Sequence, residues 1–291
     1  MSTKISSTLA KEADGGVQLN FTLPWETVKQ AKAEALAELA KETEVPGFRK
    51  GNAPISKVSE RVSRMTLVEK TVGRIIPKAI GDAIVANKLK PATYPRIEVL
   101  SADEDKDWQV TALTCELPEI VLGNYKKALK GALASGKIWT PGKDTKKEAK
   151  EPTREDKQQE VLKILLSTIN VTVPKMLIEE EANSRLSNLL DRLEKLGLTL
   201  EGYLSSIGKT PETLREDYEK QAKEAITMDL ILNKIADEQN LKVDEKEIEA
   251  VITASTADAK TKQRLDTPEQ RRLIASILRR RASLDWLTTL L

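Results

Sequence analysis

Apolar and polar positions along the first 118 residues change period several times, and each change marks an element. Residues 3–10 and 16–23 alternate in strand fashion around "ADGG", whose glycines permit the backbone angles of a hairpin. Val17, Leu19, Phe21 and Leu23 fall on one face of the second strand. From Pro24 the period becomes helical, with Val28, Ala31, Ala35, Leu36 and Leu39 as the apolar stripe. "PISKVSERVS" and "TLVEKTVGRIIPKAIGDAIVANK" predict two further helices, the second kinked at Pro77. "YPRIEVL" and "WQVTALTCEL" return to alternation, with Trp108, Val110, Ala112 and Thr114 on one side. Two strands, three helices and two strands predict an α+β domain over residues 1–118.

Residues 119–152 are rich in Gly, Lys and Ala and end in the polar run "TPGKDTKKEAKEP", which reads as a linker with one short helix near 125–134. From 153 to 291 the pattern is helical. Leu186, Leu189, Leu190, Leu193 and Leu196 recur at helical spacing before Gly197, a left-handed cap. Thr210-Pro211, Asp244 with Glu247, and Thr267-Pro268 with Gln270 are helix starts. "INVTVPKMLIEEEA" and "QNLKVDEKEIEAVI" echo one another and predict two similar helical arms.

Composition narrows the chemistry. Charged residues make up 32% but the net charge is +2, so no charge excess demands nucleic acid or a membrane. There is no histidine and a single cysteine, Cys115, which excludes His-based metal sites, Ser-His-Asp and Cys-His catalysis and an internal disulfide. No apolar run reaches the ~20 residues of a membrane span and the N-terminus lacks a signal-peptide core, so a cytoplasmic chain is expected. "IGKTP" contains a GKT tripeptide, but the P-loop glycine position is held by Tyr203, so nucleotide binding is rejected. Glu179, Glu180 and Glu181 fan out around a helix and do not converge on a metal. "RRLIASILRRRASLDW" offers Arg271, Arg272, Arg279, Arg280 and Arg281 to phosphates, a nucleic-acid alternative opposed by its stripe of Leu273, Ile274, Ile277, Leu278 and Leu284.

The remaining chemistry lies in "EVPGFRKGNAP", residues 44–54. Pro46 and Gly47 stop one helix, Gly51 and Pro54 precede the next, and Phe48, Arg49 and Lys50 occupy the tip. By themselves these three fit either an aromatic folded onto the core between solvated cations or a surface made for a partly anionic, partly apolar partner.

With the helical half in view, the chain resembles the trigger factor family of bacterial ribosome-associated chaperones. "GFRKGNAP" is similar to its ribosome-docking signature, and "VPKMLIEEEANSRLSNLL", the stretch from "YLSSIGKTPETL" to "EIEAVI", and "PEQRRLIASILRRRASLDWL" resemble its helical substrate-binding domain in order and spacing. The resemblance implies docking through Gly47, Phe48, Arg49, Lys50 and Gly51 on the large ribosomal subunit at the exit tunnel, against ribosomal protein and rRNA. It further implies an elongated all-α domain that holds unfolded or nascent chains without ATP or any cofactor, and a weak homodimer off the ribosome. Asn52 stands where the family often has lysine. The family usually carries an FK506-binding-type prolyl-isomerase domain in the middle. Here only 119–152 stands in that place, with Tyr125 and Trp139 as its aromatics, so a short form without isomerase activity is expected. Client contacts are assigned to Met176, Leu177, Ile178, Leu198, Leu200 and Tyr203, each of which is equally read as ordinary core.

Overall fold

The computed structural model describes residues 5–46, 48, 51, 54–136, 153–254 and 266–290. It divides into two compact units. The first holds Met1–Pro118 with Pro174–Leu177; the second holds Glu119–Val173 with Ile178–Leu291.

In the first unit, β1 (Ser6–Lys11) and β2 (Gly16–Leu23) form a hairpin, followed by α1 (Trp25–Glu42), α2 (Ile55–Ser59) and α3 (Arg64–Ala86), then β3 (Arg96–Ser101) and β4 (Trp108–Cys115). The strands make one antiparallel sheet in the order β1-β2-β4-β3. Register puts Leu19 opposite Ala112, Phe21 opposite Val110 and Leu23 opposite Trp108, so the apolar sets of the two central strands share one face. Antiparallel sheets bury one face and wet the other. Here the buried face packs with Val28 and Ala31 of α1 and Val72, Ile76 and Ile80 of α3. α3 runs unbroken past Pro77.

The hairpin turn is held by Asp14, whose Oδ1 accepts from the Gly16 N–H and whose Oδ2 accepts from the Lys175 N–H, both at 2.9 Å. These donors hold the Asp14 carboxyl below its ordinary value, the Lys175 amide first. Beside the same turn, Glu116 is likewise lowered, by Lys11 Nζ at 2.6 Å and by the Lys90 N–H at 2.9 Å.

The second unit contains α4 (Tyr125–Gly136), α5 (Arg154–Thr168), α6 (Lys175–Lys195, beyond its first turn), α7 (Leu200–Ile207), α8 (Pro211–Glu238), α9 (Glu245–Ala254) and α10 (Pro268–Thr288). Capping sets the boundaries. Thr153, Thr199, Thr210 and Thr267 each accept a hydrogen bond from the backbone N–H three residues on. Gly197 and Gly208 take left-handed angles where α6 and α7 stop.

Val161 and Leu165 of α5, Ile231 and Ile235 of α8, and Leu287 of α10 are fully buried. The Ser283 hydroxyl, buried among them, lies 3.1 Å from the Leu232 carbonyl and 3.0 Å from that of Arg279. Arg154 of α5 reaches Asp285 of α10 at 2.5 Å.

The stretch read as a linker opens with α4, which packs on α5. Leu122, Tyr125 and Leu129 are buried there, and residues 137–152 lie outside the described residues. Burial, with the Glu238 carboxylate 3.3 Å away, pushes the Tyr125 phenol up to about 12.

Candidate functional site

Two surfaces carry the residues that the sequence singles out. The first is the loop between α1 and α2. Its base is anchored by Val45, buried against Ala40 and Val58 with Val62 alongside, a small apolar cluster of its own. The Thr43 N–H donates to the Leu39 carbonyl at 2.8 Å, ending α1. The Phe48 N–H donates to the Val45 carbonyl at 3.0 Å. Gly51 sits at φ +87°, a region that disfavours any residue with a Cβ. Pro54 then opens α2, its carbonyl accepting from the Lys57 and Val58 N–H groups at 2.9 and 3.2 Å. A loop fixed at both ends loses little entropy when it meets a partner.

Phe48 is 46% exposed, large for a phenylalanine, between these fixed ends. Gly47, Arg49 and Lys50 lie outside the described residues, as does Asn52.

The second surface is apolar. Leu186, Leu189 and Leu190 of α6 face Leu200 and Leu204 of α7 and Leu214 of α8 across a groove of ≈ 320 Å³. Its rim carries Glu212 and Arg215, of which Arg215 pairs with Glu219 at 3.1 Å. The groove exists because the capped turns at Thr199 and Thr210 bring short α7 between two long helices without filling the space between them. An apolar, partly open groove of this kind holds chain segments chiefly by contact area, its polar groups confined to the rim.

Of the residues assigned to client contact, only Leu200 lines this groove. Met176, Leu177, Ile178 and Tyr203 are half-buried, and Leu198 is 54% exposed. Leu186, Leu189, Leu190, Leu204 and Leu214 were not assigned to it. The helical spacing of the first three is equally the signature of a closed seam, and spacing alone carries no information on what stands opposite.

The GKT tripeptide lies at a helix start. Lys209 Nζ pairs with Asp217 at 2.5 Å, which holds the lysine above its usual value, and Thr210 caps α8. The arginines of α10 are largely occupied: Arg271 by Asp266 and Glu245, Arg279 by Asp237, Arg280 by Asp229. The apolar stripe expected on that helix does not form a closed seam, since Leu273 and Ile277 are 53% and 49% exposed. Among the described residues, no helix is long and apolar enough to cross a membrane.

Residues 5–132 match the model of the bacterial trigger factor protein, and residues 142–289 match that of the trigger factor C-terminus. The chain belongs to the trigger factor family. The trigger factor of Streptococcus mutans serotype c is 30% identical over 122 residues, covering 42% of this chain and 29% of the relative. That of Staphylococcus carnosus is 36% identical over 116 residues, 40% of this chain and 26% of the relative. The chain thus spans about a third or less of the length of the curated trigger factors it matches. A solved trigger factor chaperone, described for promiscuous substrate recognition in folding and assembly, superposes with a TM-score of 0.62. It covers 98% of this chain and 99% of its own at 14% identity, a likeness of fold. The trigger factor architecture, α+β followed by a helical domain, is therefore that of this chain.

Proposed function

We propose that this member of the trigger factor family is an ATP-independent, cytoplasmic chaperone that docks at the ribosomal exit tunnel and shelters nascent polypeptides. Residues 1–118 serve as the docking domain and 153–291 as the chaperone domain. The observation that carries the reading is Phe48, exposed at the centre of an anchored loop in the part of the chain that matches the family's N-terminal model. On the ribosome the aromatic ring fills an apolar crevice while Arg49 and Lys50 meet phosphate or carboxylate, which makes docking salt-sensitive. Gly51, at φ +87°, gives the loop a turn that a residue with a Cβ would resist, and Gly47 is assigned to the docking surface with it. Clients rest in the leucine groove of α6–α8, with Leu200 on its wall and Leu198 and Tyr203 beside it in sequence. Their dispersed apolar contacts release without an energy source.

Isomerase activity is assigned as absent. Tyr125 and Trp139 are the aromatics of segment 119–152, and Tyr125 is spent on packing α4. Purified protein should not accelerate prolyl turnover in a short peptide.

Co-sedimentation with ribosomes tests docking. The intact chain should pellet with ribosomes at low salt, and Phe48→Ala/Arg49→Ala/Lys50→Ala should remain in the supernatant. Equal pelleting of the two removes the docking reading, and failure to suppress aggregation of several unfolded clients without ATP removes the chaperone reading.

A further inference from the structure

A second hollow of the helical unit, ≈ 480 Å³, differs in kind from the leucine groove. It opens between α8, the connection from α8 to α9, and α10. Arg272, Ser276 and Arg279 line it from α10 at spacings of four and three, which place them on one face of that helix. Lys242 enters from the connection and Asn233 from α8, and among the described residues no carboxylate lines the hollow.

Arg279 is fixed, its Nε donating to the Leu241 carbonyl at 3.1 Å and its Nη2 to Asp237 at 2.6 Å. Arg272 and Lys242 have no ion-pair partner among the described residues, in contrast to neighbouring Arg271. The side chains of Asn233 and Ser276 make no hydrogen bond among the described residues. Leu241, Val243 and Ala275 supply an aliphatic wall.

Cations without counter-charges, uncommitted amide and hydroxyl donors, and an aliphatic wall together fit an anionic group beside an apolar one. We infer that this hollow binds an acidic peptide segment. One carboxylate sits between Arg272 and Lys242, Asn233 and Ser276 donate to its remaining lone pairs, and the next aliphatic side chain lies on Leu241 and Val243.

Two features favour peptide over nucleic acid. Arg281, which also has no ion-pair partner among the described residues, is nine positions from Arg272, about 180° around the helix at ~100° per residue, so the uncommitted arginines form no phosphate track. Among the described residues no aromatic ring lines the hollow for base stacking. The inference rests on the reading that the helical unit takes polypeptide clients, and gives it a second, charge-selective subsite.

Fluorescence anisotropy on the full chain tests it, with a labelled peptide alternating aspartate and leucine and its asparagine–leucine counterpart. The acidic peptide should bind roughly tenfold tighter than the amide one at low salt, the scale of two charge-assisted contacts. Arg272→Ala/Lys242→Ala should abolish that preference while leaving the amide peptide's affinity unchanged. Arg272→Lys should retain most of it. Ser276→Asp, which adds a repelling charge, should remove it, and covers the case of a double variant that fails to fold.

Equal affinity for both peptides overturns the inference and leaves the chaperone reading standing. So does a preference that survives both the double variant and Ser276→Asp. Binding of single-stranded RNA that is lost in the double variant, with no acidic-peptide preference, overturns it in favour of a nucleic-acid site. Absence of binding by either peptide removes it together with the chaperone reading.

Discussion

Two adjacent glycines in the first hairpin should respond very unequally to the same methyl group. Gly15 has φ +97°, and a Cβ built on it would lie 2.9 Å from the Glu116 carbonyl oxygen and 3.3 Å from Pro174 Cγ. The backbone strain alone costs ~1–3 kcal/mol. The clash is with main chain, and the Gly15 carbonyl itself accepts the Glu116 N–H at 2.9 Å, so moving the turn away weakens that bond by a further ~0.5–1.5 kcal/mol. Gly15→Ala should therefore destabilise the first unit by ~2–4 kcal/mol.

At Gly16 the added methyl would meet Glu12 Oε2 at 2.9 Å, Asp14 Oδ1 at 3.2 Å and Glu12 Cβ at 3.3 Å, all side-chain atoms, with no positive φ to strain. Reduced freedom in the unfolded chain returns ~0.4–1 kcal/mol, so Gly16→Ala should stay within about 1 kcal/mol of the parent. Urea unfolding followed by fluorescence reads this out. In a Trp139→Phe/Trp286→Phe background the signal comes from Trp25 and Trp108, and buried Trp108 sits in the core of the first unit. With a slope of ~1–3 kcal/mol per molar urea, Gly15→Ala should lower the midpoint by about 1–2 M. Coincident midpoints for the two variants, or the reverse order, would refute the steric argument.

Three further outcomes follow from the same geometry. Asp14 and Glu116 are both depressed in the folded chain, so the stability they give is full above the unfolded carboxylate range of about 4 and is lost as pH falls through their lower folded values. Chemical denaturation across pH 2–6 should accordingly show the gap between parent and Asp14→Asn closing below about pH 4, and a gap constant with pH would contradict it. Tyr125 is raised, so the fold should lose stability as pH climbs from about 10 toward about 12, and Tyr125→Phe should flatten that decline. Ultraviolet titration should find one of the four tyrosines ionising after the others. Leu190 is 46% exposed in the leucine groove, so Leu190→Ser should weaken capture of an unfolded client several-fold while shifting the unfolding midpoint little; unchanged capture would remove the groove from the client surface.

The first unit is legible in its sequence because half-buried strands and two-layer packing leave a period that survives in one dimension. Val17 to Leu23 and Trp108 to Thr114 alternate, and these residues are the buried face. The starts at Thr210 and Thr267 are legible for a local reason, since a cap depends only on residues two or three positions away.

What spacing does not reveal is whether a stripe finds a partner. Leu186 to Leu196 reads as a packed seam, yet only Ala182 and Leu193 of that helix are fully buried and Leu196 is 71% exposed. Composition misleads at 119–136 in the opposite sense. Three lysines and three glycines give that stretch the look of a linker, yet Leu122, Tyr125 and Leu129 pack, while Val121 stays exposed. The hollow lined by Arg272 and Lys242 was legible only in part. The arginines stood out, but which of them find carboxylates depends on Asp229, Asp237 and Glu245, residues that only the tertiary fold brings near.

The place of α10 in the helical unit bears on synthesis. It packs on α5, α8 and α9, and it buries Ser283 against a carbonyl of α8 and Leu287 in the shared interior. A growing chain that has exposed everything up to Ala254 still holds Ile231 and Ile235 without their lid, whereas the four-stranded sheet is complete once Cys115 has emerged. The sheet and its two covering helices can thus mature early. The helical unit stays immature, its apolar interior uncovered, until residues 268–288 have been made.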